Sequence, residues 1–200
     1  MDNDIELRNA IDKSIENVNY FDLGMVLYVM YKYEYVVTSI KNKTWFHFKD
    51  HKWNKTEFGP YKELSTEIIT KYKDELYELN KMRRKNKEKI INCEKILTLL
   101  IDTTSKEKIC KECLYIFYYD DFMTKLDRNV HLIPFTNGIY DTNLSTFRSG
   151  KFDDYLSIYI NDQFKHINQN TKNVIKDFNI FRNIIVSKRK NEFQFSSNKN

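Results

Sequence analysis

Two pairs of adjacent aspartates are the first candidates for chemistry. Asp120–Asp121 and Asp153–Asp154 could contribute to metal-dependent phosphoryl transfer, which needs two or three convergent carboxylates. Because neighbouring residues on a strand point to opposite faces, each pair presents at most one carboxylate to a given site. A helix cap is a simpler role for Asp120 or Asp121, which precede the segment FMTKLDR. A small metal-dependent enzyme therefore stays an alternative, and we expect no catalytic residue here.

Cysteines and histidines form only incomplete metal sites in the sequence. Cys110 and Cys113 have C-x-x-C spacing, but no second cysteine pair or suitably spaced histidine pair accompanies them. His47 and His51 flank a predicted hairpin turn, where H-x-x-x-H spacing does not gather ligands as it does on a helix. We therefore predict no metal. With Cys93 the cysteines are an odd set, which favours a reduced, intracellular protein over a disulfide framework.

Motifs for nucleotide chemistry are absent from the sequence. There is no G-x-x-x-x-G-K-[ST] phosphate loop, no Rossmann fingerprint and no G-x-S-x-G elbow, and only four glycines are present. No apolar run approaches the length of a membrane span, and the first residues are charged and polar rather than signal-like. We expect neither a bound cofactor nor a membrane partner.

A basic run is the best candidate for binding a ligand. It consists of Lys81, Arg83, Arg84, Lys85, Lys87 and Lys89, and it includes one acid, Glu88. These cations could contact the phosphates of nucleic acid, although a solvated helix face or an inter-helix loop is the alternative. The net charge of +5 is mild and agrees with weak DNA binding at most. The segment 188–190 is a similar but weaker candidate.

Apolar periodicity predicts the N-terminal elements. Spacing of i, i+3 and i+4 predicts a helix over 22–33, and β-branched residues predict a strand at 34–40. Trp45, Phe48 and Trp53 then predict an aromatic hairpin, with Lys49–Asp50 in the turn region. Trp45 and Trp53 could stack on bases, but packing on the helix 22–33 is the favoured role.

The rest of the chain is predicted in the same way. Residues 61–101 are mostly helical, with a polar stretch at 80–89 where the helix is solvated or interrupted. Ser105 is a plausible cap of the next helix, and short strands with period two follow Leu132. Residues 171–186 could form a further helix.

The predicted fold class is α+β. The fold is mainly helical, with an N-terminal aromatic β-hairpin and a small C-terminal antiparallel β element. A polar helical lead-in (1–19), a domain (20–160) and a basic, weakly patterned tail (161–200) describe the organisation.

Two stretches resemble one protein family. Residues 21–53, FDLGMVLYVMYKYEYVVTSIKNKTWFHFKDHKW, resemble the start of the poxvirus-type primase–helicase N-terminal domain of nucleocytoplasmic large DNA viruses. In that family a D-[IL]-[AG]-x-x-L-x-x-x-Y helix precedes a Y-V-[CV]-x-S-I strand and a W-[YF]-x-F-x-x-H-x-W hairpin. The matching residues are Asp22, Leu23, Gly24, Leu27, Tyr31, Tyr35, Val36, Ser39, Ile40, Trp45, Phe46, Phe48, His51 and Trp53.

The second stretch is PFTNGIYDTNLSTFRSGKFDDYLS, residues 134–157, which is similar to a signature shared with phage and plasmid primases. The matches, which begin just before it, are Leu132, Ile133, Phe135, Asn137, Gly138, Ile139, Tyr140, Asp141, Phe147, Arg148, Gly150, Asp154, Tyr155, Leu156 and Ser157. The residues themselves predict scaffold: Asn137–Gly138 is a turn, and Asp141 is a plausible cross-strand partner of Arg148.

The resemblance implies a non-catalytic module between a primase domain and a superfamily-three AAA+ helicase. Such a module supports ring assembly and contacts DNA, so helicase or primase domains and further copies of the chain are the expected partners. ATP and Mg²⁺ would belong to the helicase domain, which we expect this chain to lack. A viral replication site in the host cytoplasm, the virion or the nucleus would be its location. An oligomerisation module without DNA affinity is the main alternative.

Overall fold

The computed structural model describes the backbone of residues 2–166 and 169–197 and the side chains of residues 3–166 and 171–188. The fold is α+β, with helices predominating over strands, so the predicted fold class is confirmed. The strands form two sheets of three strands each among the described residues. Among the described residues, no helix is long and apolar enough to cross a membrane.

The chain divides into two compact units. Unit 1 comprises residues 1–47 and 55–119, and unit 2 comprises residues 48–54 and 120–200.

The helices of unit 1 supply most of its residues. They are α1 (Asp2–Asn17), α2 (Tyr20–Tyr31), α3 (Tyr61–Glu63), a π-helical turn (Leu64–Ile68), α4 (Ile69–Lys81), α5 (Lys87–Ile101) and α6 (Thr103–Ile116). Asn19 caps α2 by accepting from the backbone N–H of Asp22 at 2.8 Å. Asp102, not the predicted Ser105, caps α6: its carboxylate accepts from the backbone N–H of Ser105 at 2.7 Å.

One apolar cluster fills unit 1 and draws on every long helix there. Its fully buried members include Ile15, Leu23, Val26, Leu27, Leu64, Ile68, Tyr72, Ile96, Leu100 and Ile109. The Tyr72 hydroxyl lies inside this cluster and shares a hydrogen bond with Ser14. This hydrogen bond satisfies the Tyr72 hydroxyl, which would otherwise be a buried polar group without a partner.

The first sheet consists of β1 (Tyr35–Ser39), β2 (Thr44–Lys49) and β3 (Lys52–Thr56). β1 and β2 pair antiparallel, with Val36 opposite Phe46. Asp50 and His51 link β2 to β3, and both have positive φ, as a type I′ turn requires. The hairpin is therefore confirmed, but its turn lies one residue beyond the predicted Lys49–Asp50.

Unit 2 contains a small antiparallel sheet and a long helix. Its elements are α7 (Phe122–Lys125), β4 (Leu132–Phe135), β5 (Gly138–Asp141), β6 (Thr146–Arg148), a 3₁₀ turn (Phe152–Asp154) and α8 (Gln169–Ser197). The predicted short strands after Leu132 are confirmed, with Phe135 opposite Gly138 and Tyr140 opposite Phe147. The helix α8 is longer than the predicted 171–186.

The tip of the hairpin, residues 48–54, belongs to unit 2. The Trp53 backbone N–H donates to the Leu156 carbonyl at 2.7 Å, and its indole N–H donates to the Phe152 carbonyl at 2.7 Å. The Trp53 ring meets Phe122 edge-on, with centroids 5.0 Å apart. The prediction that both tryptophans pack on helix 22–33 is therefore wrong for Trp53. Sequence periodicity cannot show it, because these partners lie about a hundred residues away.

Trp45 follows the prediction. It is buried in the apolar cluster of unit 1 that also contains Leu23 and Leu27 of α2. Its ring lies 5.6 Å from that of Phe117 and 6.2 Å from that of Tyr35, measured between centroids. Aromatic contacts of this geometry stabilise a core beyond their area burial.

Candidate nucleic-acid interface

The basic run forms the connection between α4 and α5. The helix breaks after Lys81, and a hydrogen-bonded turn follows, in which the Lys85 N–H donates to the Met82 carbonyl at 3.0 Å. The Asn86 side chain donates to the Leu79 carbonyl at 3.2 Å and thereby satisfies one of the last carbonyls of α4. The polar stretch therefore interrupts the helix, which is the second of the alternatives considered from sequence.

The two helices that carry this turn are packed together. The Cys93 thiol of α5 donates to the Tyr72 carbonyl of α4 at 3.3 Å, and both residues are buried. Tyr72 and Ile96 belong to the same apolar cluster. The turn therefore joins two helices that pack against each other through buried residues.

The cations of the turn are exposed to solvent. Arg83, Arg84, Lys85 and Lys87 are all exposed, and in the described part of the chain none of them forms a salt bridge. Lys81 differs, because its ammonium lies 2.7 Å from the Glu78 carboxylate and 4.9 Å from the centre of the Tyr77 ring. Over the ranges that the structure describes, Arg83, Arg84, Lys85 and Lys87 are therefore charges without an opposite charge beside them, whereas Lys81 is paired.

An exposed tyrosine lies beside Lys81. Tyr77 is 67% exposed, although its aromatic ring could bury a large apolar area. The Lys81 ammonium lies beside this ring, and exposed rings and cations are the groups with which nucleic-acid-binding surfaces stack on bases and contact phosphates. Sequence analysis did not single out Tyr77, and its i, i+4 spacing to Lys81 was the available signal.

The other basic candidate lies on α8. Lys188 is exposed there, whereas the side chains of residues 189 and 190 fall outside the described residues.

His47 and His51 lie in two different environments. His47 stacks on Tyr35 with ring centroids 4.3 Å apart, and its Nε2 lies 3.9 Å from a Glu34 oxygen. In unit 2, His51 Nδ1 accepts from the Gly150 backbone N–H at 3.1 Å. His47 and His51 each have a specific partner, which their positions beside the predicted hairpin turn did not indicate. Across the described ranges, no group of three or more His, Cys, Asp or Glu side chains could hold a metal ion.

The cysteines are thiols within helices of unit 1. Cys110 and Cys113 lie one turn apart on α6, and Cys93 lies on α5. Burial raises the pKa of Cys93 to about 11 and that of Cys110 to about 12, and it raises the pKa of Cys113 as well. At neutral pH these thiols stay protonated, which disfavours nucleophilic or metal-ligating roles.

The signature around Asn137 forms structure in unit 2. The Asn137 side chain accepts from the Phe164 N–H at 2.9 Å and donates to the Phe164 carbonyl at 3.1 Å. The Phe164 ring then stacks on Tyr140 and Phe147, with centroids 5.0 and 4.8 Å away. Gly138 has φ of 150°, a conformation that favours glycine, at the turn predicted for Asn137–Gly138.

Arg148 pairs with Asp154 and not with the predicted Asp141. Its two terminal nitrogens donate to the two carboxylate oxygens at 2.8 and 2.6 Å. In the sheet, Arg148 lies opposite Ile139, whereas Asp141 lies opposite Thr146 and accepts from the backbone N–H groups of the following turn. Charge and proximity in sequence suggested Asp141, but strand register decides against it.

The acidic pairs also have structural positions. Asp154 additionally accepts from the Lys151 backbone N–H at 2.7 Å, which closes the 3₁₀ turn before Tyr155. Asp121 occupies the N-cap of α7, but its side chain makes no cap hydrogen bond. The predicted capping position is thus confirmed for Asp121, whereas the side-chain contact is absent.

Two buried charged residues of unit 2 were not predicted from the sequence. Asp127 is 1% exposed and has positive φ, and its carboxylate accepts from the Ser157 N–H and hydroxyl at 2.7 and 2.6 Å. Arg182 of α8 is also 1% exposed and donates to the carbonyls of Asn129 and Leu132. Ser157 lies in the stretch 134–157 that resembles the family. That resemblance was the only signal in the sequence that pointed to its partner Asp127.

Comparison with known proteins identifies the family. The D5 N terminal like family matches residues 24–179, which cover the stretch 134–157 and all but the first three residues of the stretch 21–53. The chain belongs to the D5 N terminal like family. The predicted resemblance to the N-terminal domain of large DNA virus primase–helicases is therefore confirmed.

Related viral proteins carry helicase names. A protein of Acanthamoeba polyphaga mimivirus, named as a candidate helicase, is 28% identical over 187 residues, which cover 88% of this chain and 19% of that protein. Candidate helicases of Invertebrate iridescent virus 3 and 6 are 34% and 38% identical, over 40% and 32% of this chain and 9% and 7% of theirs. The chain thus spans less than a fifth of the length of these relatives.

Proposed function

We propose that this chain is a helicase-associated module of a viral DNA-replication protein, and that its 81–87 segment contacts the phosphate backbone of DNA. The family and the names of the relatives support the replication context. The observation that carries DNA contact is a set of four exposed cations at the α4–α5 connection that form no salt bridge within the described chain. Arg83, Arg84 and Lys85 lie in the turn, and Lys87 begins α5. Such cations release counterions when they neutralise phosphates, which favours binding without sequence preference.

In this proposal the module is non-catalytic and acts on a helicase or primase. It supports assembly of the helicase ring and brings that ring to DNA, while ATP and Mg²⁺ bind to the helicase domain. The raised pKa values of the thiols and the pairing of Asp154 with Arg148 agree with structural roles for these residues.

The test compares two charge-matched variants of the whole chain. Changing Arg83, Arg84, Lys85 and Lys87 to alanine should weaken binding to duplex and single-stranded DNA. The slope of log affinity against log salt should fall by about 3, because each lost phosphate contact removes about 0.7–0.9. The control changes Lys41, Lys71, Lys73 and Lys95, which are equally exposed, and should leave most of the slope. If both variants bind alike, the 81–87 segment is not the DNA contact.

A protein-interaction module without DNA affinity is the second candidate. The observation that favours it is an exposed apolar stripe on α8, where Ile180, Phe181 and Ile184 are 54%, 54% and 50% exposed. Three apolar side chains at this spacing form one face of a helix. Sedimentation of the chain alone and with the partner helicase distinguishes the candidates: association without measurable DNA binding would favour the second.

A further inference from the structure

A groove in unit 1 lies between α6 and the loop that follows β3. Its volume is about 440 Å³, which falls in the range of small-molecule sites in proteins. Trp45, Gly59 and Leu114 line its apolar part. A Cβ on Gly59 would lie 2.6 Å from the Trp45 ring, so the loop can approach that ring only because residue 59 has no side chain. We refer to this site as the aromatic groove.

An exposed phenylalanine stands at the edge of the aromatic groove. Phe58 is 72% exposed, more than any other large apolar side chain described as exposed. Tyr61 also lines the groove, and the Lys106 ammonium lies 5.1 Å from the centre of its ring. Aromatic rings accessible in a basic setting are the platforms on which unpaired nucleobases stack.

Both signs of charge line the aromatic groove. Lys43, Lys108 and Lys111 supply ammonium groups, and Glu57 and Glu107 supply carboxylates. In the part of the chain that the structure describes, no salt bridge joins these lysines to these glutamates. A nucleotide can satisfy both signs, because its phosphates bind ammonium groups and its exocyclic amino group donates to carboxylates. An inorganic anion or an apolar peptide would satisfy only part of the lining.

We propose that the aromatic groove binds an unpaired base of single-stranded nucleic acid. The base stacks on Phe58, and the flanking phosphates lie against Lys43 and Lys111. The inference rests on the proposed function, since it takes nucleic acid as the ligand, but it adds a contact that is separate in sequence from the 81–87 segment. It also predicts tighter binding of single-stranded than of duplex nucleic acid, because a paired base has its faces stacked within the duplex. Phosphate contacts alone do not give this preference.

Phe58 provides the decisive variant. The full chain is titrated into a fluorescein-labelled oligonucleotide of about 12 deoxycytidines, a length that covers one single-strand site, and into a duplex of the same length. Phe58→Ala should weaken oligonucleotide binding about tenfold and leave duplex binding unchanged, because one base–aromatic stack is lost. The exposure of Phe58 means that its removal should preserve the fold. Phe21→Ala, at a 48% exposed site on α2 that does not line the groove, is the matched control and should bind like the wild type.

Charge removal gives an independent readout. Changing Lys43 and Lys111 together to alanine should lower the salt slope for the oligonucleotide by about 1.4, from about 0.7 for each phosphate contact on a single strand. Wild-type affinity in Phe58→Ala, or an equal loss on the duplex, would overturn the proposal. A dimer in sedimentation that Phe58→Ala dissociates would do so as well, since it would assign the groove to a second copy of the chain.

The outcome separates the two proposals. If the 81–87 segment does not bind DNA, its four-alanine variant binds like the wild type, whatever happens at Phe58. If the aromatic groove does not bind a base, Phe58→Ala has no selective effect, whereas the four-alanine variant still loses salt dependence.

Discussion

Unit 1 and unit 2 are stabilised by different kinds of contact. In unit 1, apolar side chains that recur along α1, α2, α4, α5 and α6 form one large cluster. In unit 2 the apolar clusters are small, for example Leu132, Ile139 and Leu156, and buried polar side chains hold the backbone around them. Apolar burial tolerates exchange of similar shapes, whereas a polar clamp depends on the position of each atom.

The two tryptophans of the chain allow each unit to be observed separately. Trp45 belongs to unit 1 and Trp53 to unit 2. A Trp53→Phe background therefore reports unit 1 by fluorescence, and a Trp45→Phe background reports unit 2. Each test below compares a variant with its own background in urea-induced unfolding.

The largest effect is expected in the core of unit 1. Leu27 is fully buried, so Leu27→Ala should lower the free energy of unfolding by about 2–5 kcal/mol through lost burial and a cavity. Leu27→Met conserves volume and should cost less than about 1.5 kcal/mol. The measurement is the Trp45 transition in urea. If both variants lost the same amount, the core would depend on exact shape, and the contrast with unit 2 would disappear.

In unit 2 the addition of a single methyl group should matter nearly as much. Gly138 has φ of 150°, and a Cβ there would lie 2.7 Å from the Arg148 carbonyl oxygen. Gly138→Ala should therefore cost about 1–3 kcal/mol, from backbone strain and from displacement of the β5–β6 pair. Asn143→Ala, on the exposed turn of the same hairpin, should stay within about 0.5 kcal/mol. Equal effects of Gly138→Ala and Asn143→Ala on the Trp53 transition would show that the backbone conformation at Gly138 is not what makes that site sensitive.

How far each unit can be predicted from the sequence depends on the same difference between apolar and polar contacts. The i, i+3, i+4 spacing of Leu23, Val26 and Leu27 reports a buried helix face directly, so α2 is visible in the sequence. The polar stretch at 80–89 indicated that the helix is either solvated or interrupted there, and the sequence left both alternatives open. Alternation around Gly138 showed the strands of unit 2.

Side-chain partners in unit 2 were not predictable in the same way. Trp53 meets Phe152, and Arg182 meets Leu132, across long separations in sequence. A polar clamp has no period, so nothing in the local pattern reports it. The aromatic groove was missed for a related reason, because Phe58 and Lys111 converge only after α6 packs in unit 1.

A double-mutant cycle tests the corrected ion pair directly. The coupling between Arg148→Ala and Asp154→Ala should be about 1–2 kcal/mol, because two charge-assisted hydrogen bonds are lost together. The cycle with Asp141→Ala should give a clearly smaller coupling, since Asp141 bonds to its own turn and acts on Arg148 only through its charge. The readout is the Trp53 transition. Larger coupling to Asp141 than to Asp154 would restore the pairing that the sequence alone suggested.

The smallest predicted difference appears at alkaline pH. All three cysteines lie in unit 1, and burial raises the pKa of Cys93 from 9.0 to about 11 in the folded state. Above pH 9 the unfolded chain loses these thiol protons while the folded chain keeps them. The stabilising contribution is therefore complete below pH 9 and is lost as pH rises towards 11. Cys93→Ala should lower stability at pH 7 but flatten the decline of the Trp45 transition between these pH values. Unit 2 has no cysteine, so its Trp53 transition should lack this contribution, and an unchanged slope in Cys93→Ala would show that the thiol is not its source.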